Sequence, residues 1–376
     1  MKWPTATLAD ICEEVVDCPH STPKWTDAGV RVLRSKNIRN GRLDLEAQES
    51  FTSEEDYTAR TRRAIPRRGD LVITREAPMG EVCMLPDIQC CLGQRMVLLR
   101  PSPPRVDSRF LLYALQSRFV QDQIARSKGS GTTVSNLRIP HLEALEIPLP
   151  PKAIQDSIGE TLGAYDDLIE INSRRMALLE EAIQLLYREW FVYLRFPGHE
   201  RVKVVDGVPE GWRRATLGDI VTLHYGKSLP QKSRRPGPVP VYGSSGVVGT
   251  HSTPLVEGGG IVVGRKGNVG SVFRVNEDFH PIDTVFFVEQ DRASTFLYCT
   301  LSGMRFTSSD AAVPGLNRNA AYSQKLLVPP RDLIAQYEAL VDPMCALQGT
   351  LLSQNERLRE ARDFLLPRLM DGRIAV

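Results

Sequence analysis

Two stretches of this chain carry a seven-residue apolar repeat long enough to dictate how the rest can fold. In the first, 151–196, Leu162, Tyr165, Ile169, Asn172, Met176, Leu179, Ile183, Leu186 and Trp190 alternate spacings of three and four. In the second, 331–376, Leu333, Tyr337, Leu340, Met344, Leu347, Leu351, Gln354, Leu358, Ala361 and Leu365 keep the rhythm. A seam held this long predicts coiled-coil-like helices, not ordinary surface helices. Each would run about 35 to 40 residues, roughly 50 to 60 Å at the helical rise. Two such seams in one chain most simply bury each other. Asn172 and Gln354 sit near the middle of their seams, and a buried amide is best suited to fixing register. The expectation is an antiparallel pair with these amides in one layer and Leu179, Ile183, Leu347 and Leu351 in the seam. That register sets Trp190 near Gln336 and Leu162 near Leu365. Pro343 predicts a kink or a broken first segment in the second helix.

Each helix ends one copy of a duplicated module. Ala6-Thr7-Leu8-Ala9-Asp10-Ile11 recurs as Ala215-Thr216-Leu217-Gly218-Asp219-Ile220. Asp70-Leu71-Val72-Ile73-Thr74-Arg75 matches Gly260-Ile261-Val262-Val263-Gly264-Arg265, and Pro150-Pro151 matches Pro329-Pro330 ahead of the helices. The predicted order is a mixed globe at 1–150, a spacer helix at 151–196, a linker at 197–211, a second globe at 212–330 and a second spacer at 331–376. Ser108 to about Arg126 reads as one short helix in the first globe. The fold class is α+β, two mixed domains separated by an antiparallel helix pair. Antiparallel helices would carry the globes to opposite ends, about an approximate two-fold axis.

Composition narrows the function mainly by exclusion. Lys and Arg total 47 against 45 Asp and Glu, so bulk charge favours no polyanion and any such surface must be local. The seven cysteines lack C-x-x-C and zinc-finger spacing, and no apolar run reaches 18 residues. These features fit a soluble protein of a reducing cytosol without a metal site. Gly226-Lys227-Ser228 lacks the upstream glycine of a phosphate loop, where Val221 stands. There is no H-E-x-x-H, no G-x-S-x-G and no [DN]-P-P-[FY]. No catalytic residue is nominated.

Binding chemistry is present instead, in loops. Arg31, Arg34, Lys36, Arg39 and Arg42 form one basic run, and Arg34-Ser35-Lys36-Asn37 mixes charge with amide and hydroxyl groups. That mixture suits phosphates and base edges. A second run, Arg60, Arg62, Arg63, Arg67 and Arg68, suits phosphate contact or a solvated face equally. Small residues around Arg or Lys let a backbone approach a polyanion closely, as in Tyr242-Gly243-Ser244-Ser245-Gly246, Gly264-Arg265-Lys266-Gly267-Asn268 and Lys128-Gly129-Ser130-Gly131-Thr132-Thr133. The nominated residues are Arg34, Lys36, Asn37, Arg75, Thr132, Thr133, Ser135 and Asn136 in the first globe. In the second they are Lys227, Tyr242, Ser244, Ser245, Arg265, Lys266, Asn268 and Asn317. Arg75 and Arg265 end strands and read equally as buried ion-pair partners; Asn317 reads equally as a turn cap.

At these motifs the chain resembles the specificity subunit of type I restriction-modification enzymes along nearly its whole length. Pro19-His20-Ser21-Thr22-Pro23, Arg34-Ser35-Lys36-Asn37-Ile38 and Gly69-Asp70-Leu71-Val72 are similar to that family's target-recognition domains. So are Tyr225-Gly226-Lys227-Ser228-Leu229-Pro230, Gly264-Arg265-Lys266-Gly267-Asn268-Val269-Gly270 and Pro281-Ile282-Asp283-Thr284. Pro209-Glu210-Gly211-Trp212, often the family's opening, precedes only the second globe, and the glutamate common after the double proline is missing at both helix starts. The resemblance implies a non-catalytic DNA-reading subunit, each globe reading half of a bipartite asymmetric target across a gap set by the helices. It implies no cofactor in this chain. Partner modification subunits, two of them, would carry S-adenosylmethionine, and restriction subunits would use ATP and Mg. The alternatives are a protein-interaction scaffold and an enzyme with an unrecognised active site.

Overall fold

Each half opens on a threonine that caps its own next turn. Thr7 Oγ1 accepts the amide of Asp10 while the Asp10 carboxylate accepts the amide and hydroxyl of Thr7; Thr216 and Asp219 repeat the box. These caps satisfy amides that a helical turn leaves open. The preceding strands, Thr5–Thr7 and Arg213–Thr216, pair antiparallel with Glu146–Pro148 and Lys325–Val328, the strands that lead into the double prolines. The chain thus returns to its entry point before each long helix.

The computed structural model describes residues 3–126, 136–306 and 315–374. Their contacts fall into two units, Met1–Ile171 with Gln354–Val376, and Asn172–Ser353. Each long helix contributes one part to each unit. The first unit contains an antiparallel sheet in the order Cys12–Asp17, Met96–Pro101, Leu71–Thr74, Val82–Met84. In the second, His224–Tyr225, Val285–Glu289, Gly260–Gly264 and Val272–Val275 repeat that order and sense. A second sheet in each unit keeps one parallel pairing, Cys90–Leu92 beside Val30–Leu33 and His280–Pro281 beside Val239–Gly243. The central strands Leu71–Thr74 and Gly260–Gly264 are buried throughout, which is why they read as continuous apolar runs. The stretch read as one helix from Ser108 is two, Ser108–Gln116 and Arg118–Arg126. They break at Ser117, whose buried hydroxyl donates to the carbonyl of Ala114 and accepts the amide of Val120. The stretch 197–211 is built, not slack: a hairpin pairs Val204–Val205 with Val208–Pro209, and Phe196 packs on Trp212 at 5.5 Å.

The first long helix, Lys152–Tyr187, continues into a π turn, Arg188–Val192, whose Trp190 and Phe191 join Tyr337 and Phe296 in an aromatic cluster. The second, Arg331–Met370, runs unbroken through Pro343, against expectation. Pro343 and Ala339, four residues before it, are both exposed, so the carbonyl that loses its donor can face water. The helices are antiparallel within each unit. In one, Tyr337 Oη donates to Ile183 O and Gln348 Nε2 to Met176 O. In the other, Asn355 Nδ2 donates to Ile169 O and Arg362 Nη1 to Asp166 Oδ1.

The seam on the first helix lies where its repeat puts it: Leu162, Ile169, Asn172, Ile183 and Trp190 are buried, with Leu179 half-buried. On the second helix every other seam position is displaced by one. Leu340 and Leu347 are 50% and 37% exposed and Gln354 is exposed. Val341, Gln348, Asn355 and Arg362 take their places, with Leu351 kept at 2% exposure. The register amide of that helix is therefore Asn355, not Gln354, and Trp190 meets Tyr337, ring centroids 6.0 Å apart. Leu162 and Leu365 do share a core cluster.

Candidate nucleic-acid interface

The second globe builds one loop platform from separate strand ends. Arg265 N and Lys266 N donate to Thr284 O at 2.9 and 3.1 Å, Lys227 N to Pro281 O at 3.0 Å, and Leu316 N to Arg265 O at 2.7 Å. Two glycines permit the closeness. A Cβ on Gly226 would lie 2.1 Å from Ile282 O, and one on Gly264 would lie 2.2 Å from Asn268 O. On this platform Lys227, Ser245 and Asn268 are exposed and Lys266 is half-buried. Tyr225, 46% exposed, lies under two guanidinium groups, Arg265 at 5.0 Å and Arg318 at 4.8 Å from its ring centre. Arg265 Nη1 donates to Asp283 O at 3.1 Å. Asn317 is exposed, and its side chain caps the turn by accepting the amide of Asn319.

Two nominated residues of this globe belong to its interior. Tyr242 packs edge-on against Phe279 at 5.8 Å, and burial raises the pKa of its hydroxyl. Ser244 is 8% exposed, and its carbonyl accepts the Ser271 hydroxyl.

The first globe has the same backbone platform with different chemistry. Arg75 N donates to Arg95 O and Leu137 N to Arg75 O, matching Arg265 and Leu316. The register places Asp17 opposite Val97 as Tyr225 stands opposite Phe286, so a carboxylate occupies the tyrosine's place. Arg75 spends its donors there: Nη1 bonds Asp17 Oδ1 and Oδ2 at 2.8 and 2.7 Å, Nε bonds Leu137 O, and Nη2 bonds Asn136 Oδ1. Asn136 in turn donates to Glu76. Arg75 and Asn136 hold loops together, and neither is free to meet a duplex. Asn37 is also structural: 1% exposed, it accepts the amide of Arg34 and donates to Asp44 O and Gln48 O. Arg60, buried, clamps Leu92 O and Ser21 O, and Arg42 pairs with Asp166. What faces solvent is Lys36, Arg39, Arg62, Arg63, Arg67 and Arg68, with Arg34 over the ring of Trp25 at 5.2 Å and that ring 47% exposed. Thr132, Thr133 and Ser135 lie outside the described residues.

Sequence reasoning missed Trp25, Tyr225 and Arg318. An aromatic residue among loop arginines was the available signal, since rings that stack guanidinium groups or bases recur on nucleic-acid surfaces. Burial pushes the thiols of Cys12, Cys83 and Cys90 up to about 12 and that of Cys91 to about 11, away from the thiolate form. Among the described residues no group of three or more His, Cys, Asp or Glu side chains is placed to hold a metal ion. None of the described helices is long and apolar enough to cross a membrane.

A duplicated sheet domain with cationic, aromatic-bearing loops, each copy followed by a heptad helix, has the chemistry to meet a polyanion. The chain belongs to the type I restriction-modification DNA specificity family, as a DNA-recognition subunit: the model of the type I restriction modification DNA specificity domain matches 1–181 and 209–332. It is 23% identical over 342 residues to the MjaIX specificity subunit of Methanocaldococcus jannaschii, covering 82% of this chain and 78% of that one. With the HindI specificity subunit of Haemophilus influenzae it shares 22% identity over 421 residues, covering 85% of this chain and 89% of the relative. The crystal structure of a type I restriction-modification S subunit from M. genitalium has the same fold, with a TM-score of 0.59 at 19% identity over 98% of this chain and 96% of the other.

Proposed function

We propose that the two globes read the two halves of a bipartite, asymmetric duplex target, and that the paired helices set the unread gap between them. The observation that carries this reading is the repetition of one sheet topology, each copy presenting exposed cations beside an exposed aromatic ring. In the first globe Arg34 and Lys36 meet the duplex. In the second, Lys227, Ser245, Arg265, Lys266, Asn268 and Asn317 do so. Half-sites read from one side of a duplex lie about one turn, roughly 34 Å, apart, within the length of these helices.

In this reading the chain is non-catalytic. Two modification subunits supply S-adenosylmethionine and methylate adenine, and restriction subunits, where present, use ATP and Mg. Leu178 and Leu185 on the first helix are 56% and 46% exposed one heptad apart, an apolar repeat suited to helical partners. The near balance of charge fits a chain whose partners supply part of the phosphate grip.

Removing one heptad from each helix tests the ruler. Seven residues are about 10 Å, or about three base pairs. The expected result is a methylated motif with its halves intact and its gap shortened, or loss of binding. A gap unchanged in an active complex would remove the ruler role.

A further inference from the structure

Arg265 and Arg318 come from separate segments, one after a central sheet strand and one beyond 307–314, yet both converge on Tyr225. The second ring near Arg318 is Tyr322, at 5.9 Å, and Tyr225 is itself braced edge-on by Phe286 at 5.0 Å. Among the described residues no carboxylate lies within ion-pair distance of either guanidinium, whereas Arg75 at the matching place of the first globe is held by Asp17. A guanidinium over an aromatic face has its plane fixed while its edge N–H groups stay available. A phosphate can be met by a point charge with no fixed plane, as lysine meets it. Two acceptors on one base edge do need one, and guanine offers that pair in the major groove through O6 and N7. Lys227 and Lys266 on the same platform supply ordinary point charges for the flanking phosphates.

We infer that Tyr225 holds Arg265 and Arg318 as an oriented pair, and that Arg318 reads a guanine edge in the half-site met by the second globe. The inference rests on the half-site reading above and adds the base class, a reading residue, Arg318, and the ring that orients it, Tyr225. Tyr225 is a positioning residue; the arginines make the contact.

The test is to assemble the full chain with its modification subunits and map the methylated motif by single-molecule sequencing for wild type, Arg318→Lys, Tyr225→Leu and Tyr225→Phe. Arg318→Lys keeps the charge but loses the planar fork. It and Tyr225→Leu should each relax one G·C position in one half-site, with at least a tenfold loss of discrimination there and the other half unchanged. Tyr225→Phe keeps the ring and should keep the motif. Weaker methylation spread evenly over an unchanged motif in Arg318→Lys would mean phosphate contact and overturn the inference, as would relaxation at a position other than G·C. Should Tyr225→Leu fail to fold, Arg318→Lys decides alone. A wild-type complex methylating without any bipartite motif would sink the half-site reading; a wild-type bipartite motif with silent variants would sink only the guanine contact.

Discussion

Arg75 and Arg265 occupy the same place in the two globes, at the end of the same strand with matched backbone bonds, yet they serve opposite ends. Asp17 neutralises the first; Tyr225 underlies the second and leaves its charge in play. One residue two strands away in the sheet therefore decides whether a framework arginine closes a platform or arms it. The first globe carries its exposed cations elsewhere, on the loop of Arg34 and Lys36 beside Trp25. The two globes share the scaffold and differ in where their exposed cations lie.

The largest expected effect breaks this comparison directly. Arg75→Ala leaves Asp17, whose side chain is 16% exposed, with only the exposed His20 ring at 3.2 Å, and should cost about 3 kcal/mol in denaturant unfolding. Arg265→Ala should cost under about 1.5 kcal/mol, because it removes contacts with the Tyr225 and Phe286 rings and one hydrogen bond. Equal losses would erase the distinction.

The next effect concerns how each globe grips the helices. In the first unit Asp166 accepts Tyr113 Oη at 2.6 Å, Arg42 Nη2 at 2.9 Å and Arg362 Nη1 at 2.6 Å. In the second, Arg274 Nη1 reaches Cys345 Sγ and Nη2 reaches Gln348, while Tyr298 Oη donates to Glu180. Glu180 also takes three donors, Tyr298, Gln348 and Gln184, but all are neutral, whereas two of the three on Asp166 are guanidinium groups. Burial alone would raise the pKa of Asp166, but the Tyr113 hydroxyl, Arg362 and Arg42 outweigh burial and hold it below the usual range. A depressed folded pKa means stabilisation that is complete above the unfolded value near 4 and fades as pH falls through the folded one. Asp166→Asn should thus cost about 2–3 kcal/mol at neutral pH. Its gap from wild type should close in acid below about pH 4, as equilibrium unfolding across pH would show; a gap that widened there would refute the hub.

Smaller again is the register amide. Asn355→Ala should cost about 1–2 kcal/mol, against less than about 0.5 kcal/mol for its exposed neighbour in Gln354→Ala. Thermal melts distinguish the two, and the reverse order would restore the repeat as first read. The smallest effects are on stability at Lys36 and Lys227, within about 0.5 kcal/mol. There Ala substitution should instead lower the salt slope of DNA binding by about 1 each, read by titration at several salt concentrations.

How much of this was legible follows a physical line. The repeat and the first seam were readable because they are local or strictly periodic. The second seam was half-readable. Leu340 and Leu347 outrank Val341 and Gln348 in hydrophobicity, but polar Gln348, Asn355 and Arg362 can line a seam because Met176, Ile169 and Asp166 supply their partners. Those partners lie 172, 186 and 196 residues away. The loops were recognisable as binding loops, yet which arginine stays free depends on a residue as distant as Asp17 is from Arg75. Asn37 resembled a base-reading amide and proved to be the staple of its own loop, since nothing local showed Asp44 and Gln48 closing over it.

The most direct test of two independent reading surfaces is to map methylated motifs for two double variants, Arg34→Ala with Lys36→Ala and Arg265→Ala with Arg318→Ala, each assembled with the modification subunits. The account predicts that each pair relaxes one half of the motif, that the halves differ between the pairs, and that the other half stays as in wild type. Relaxation of the same half by both pairs, or of both halves by either, would contradict it.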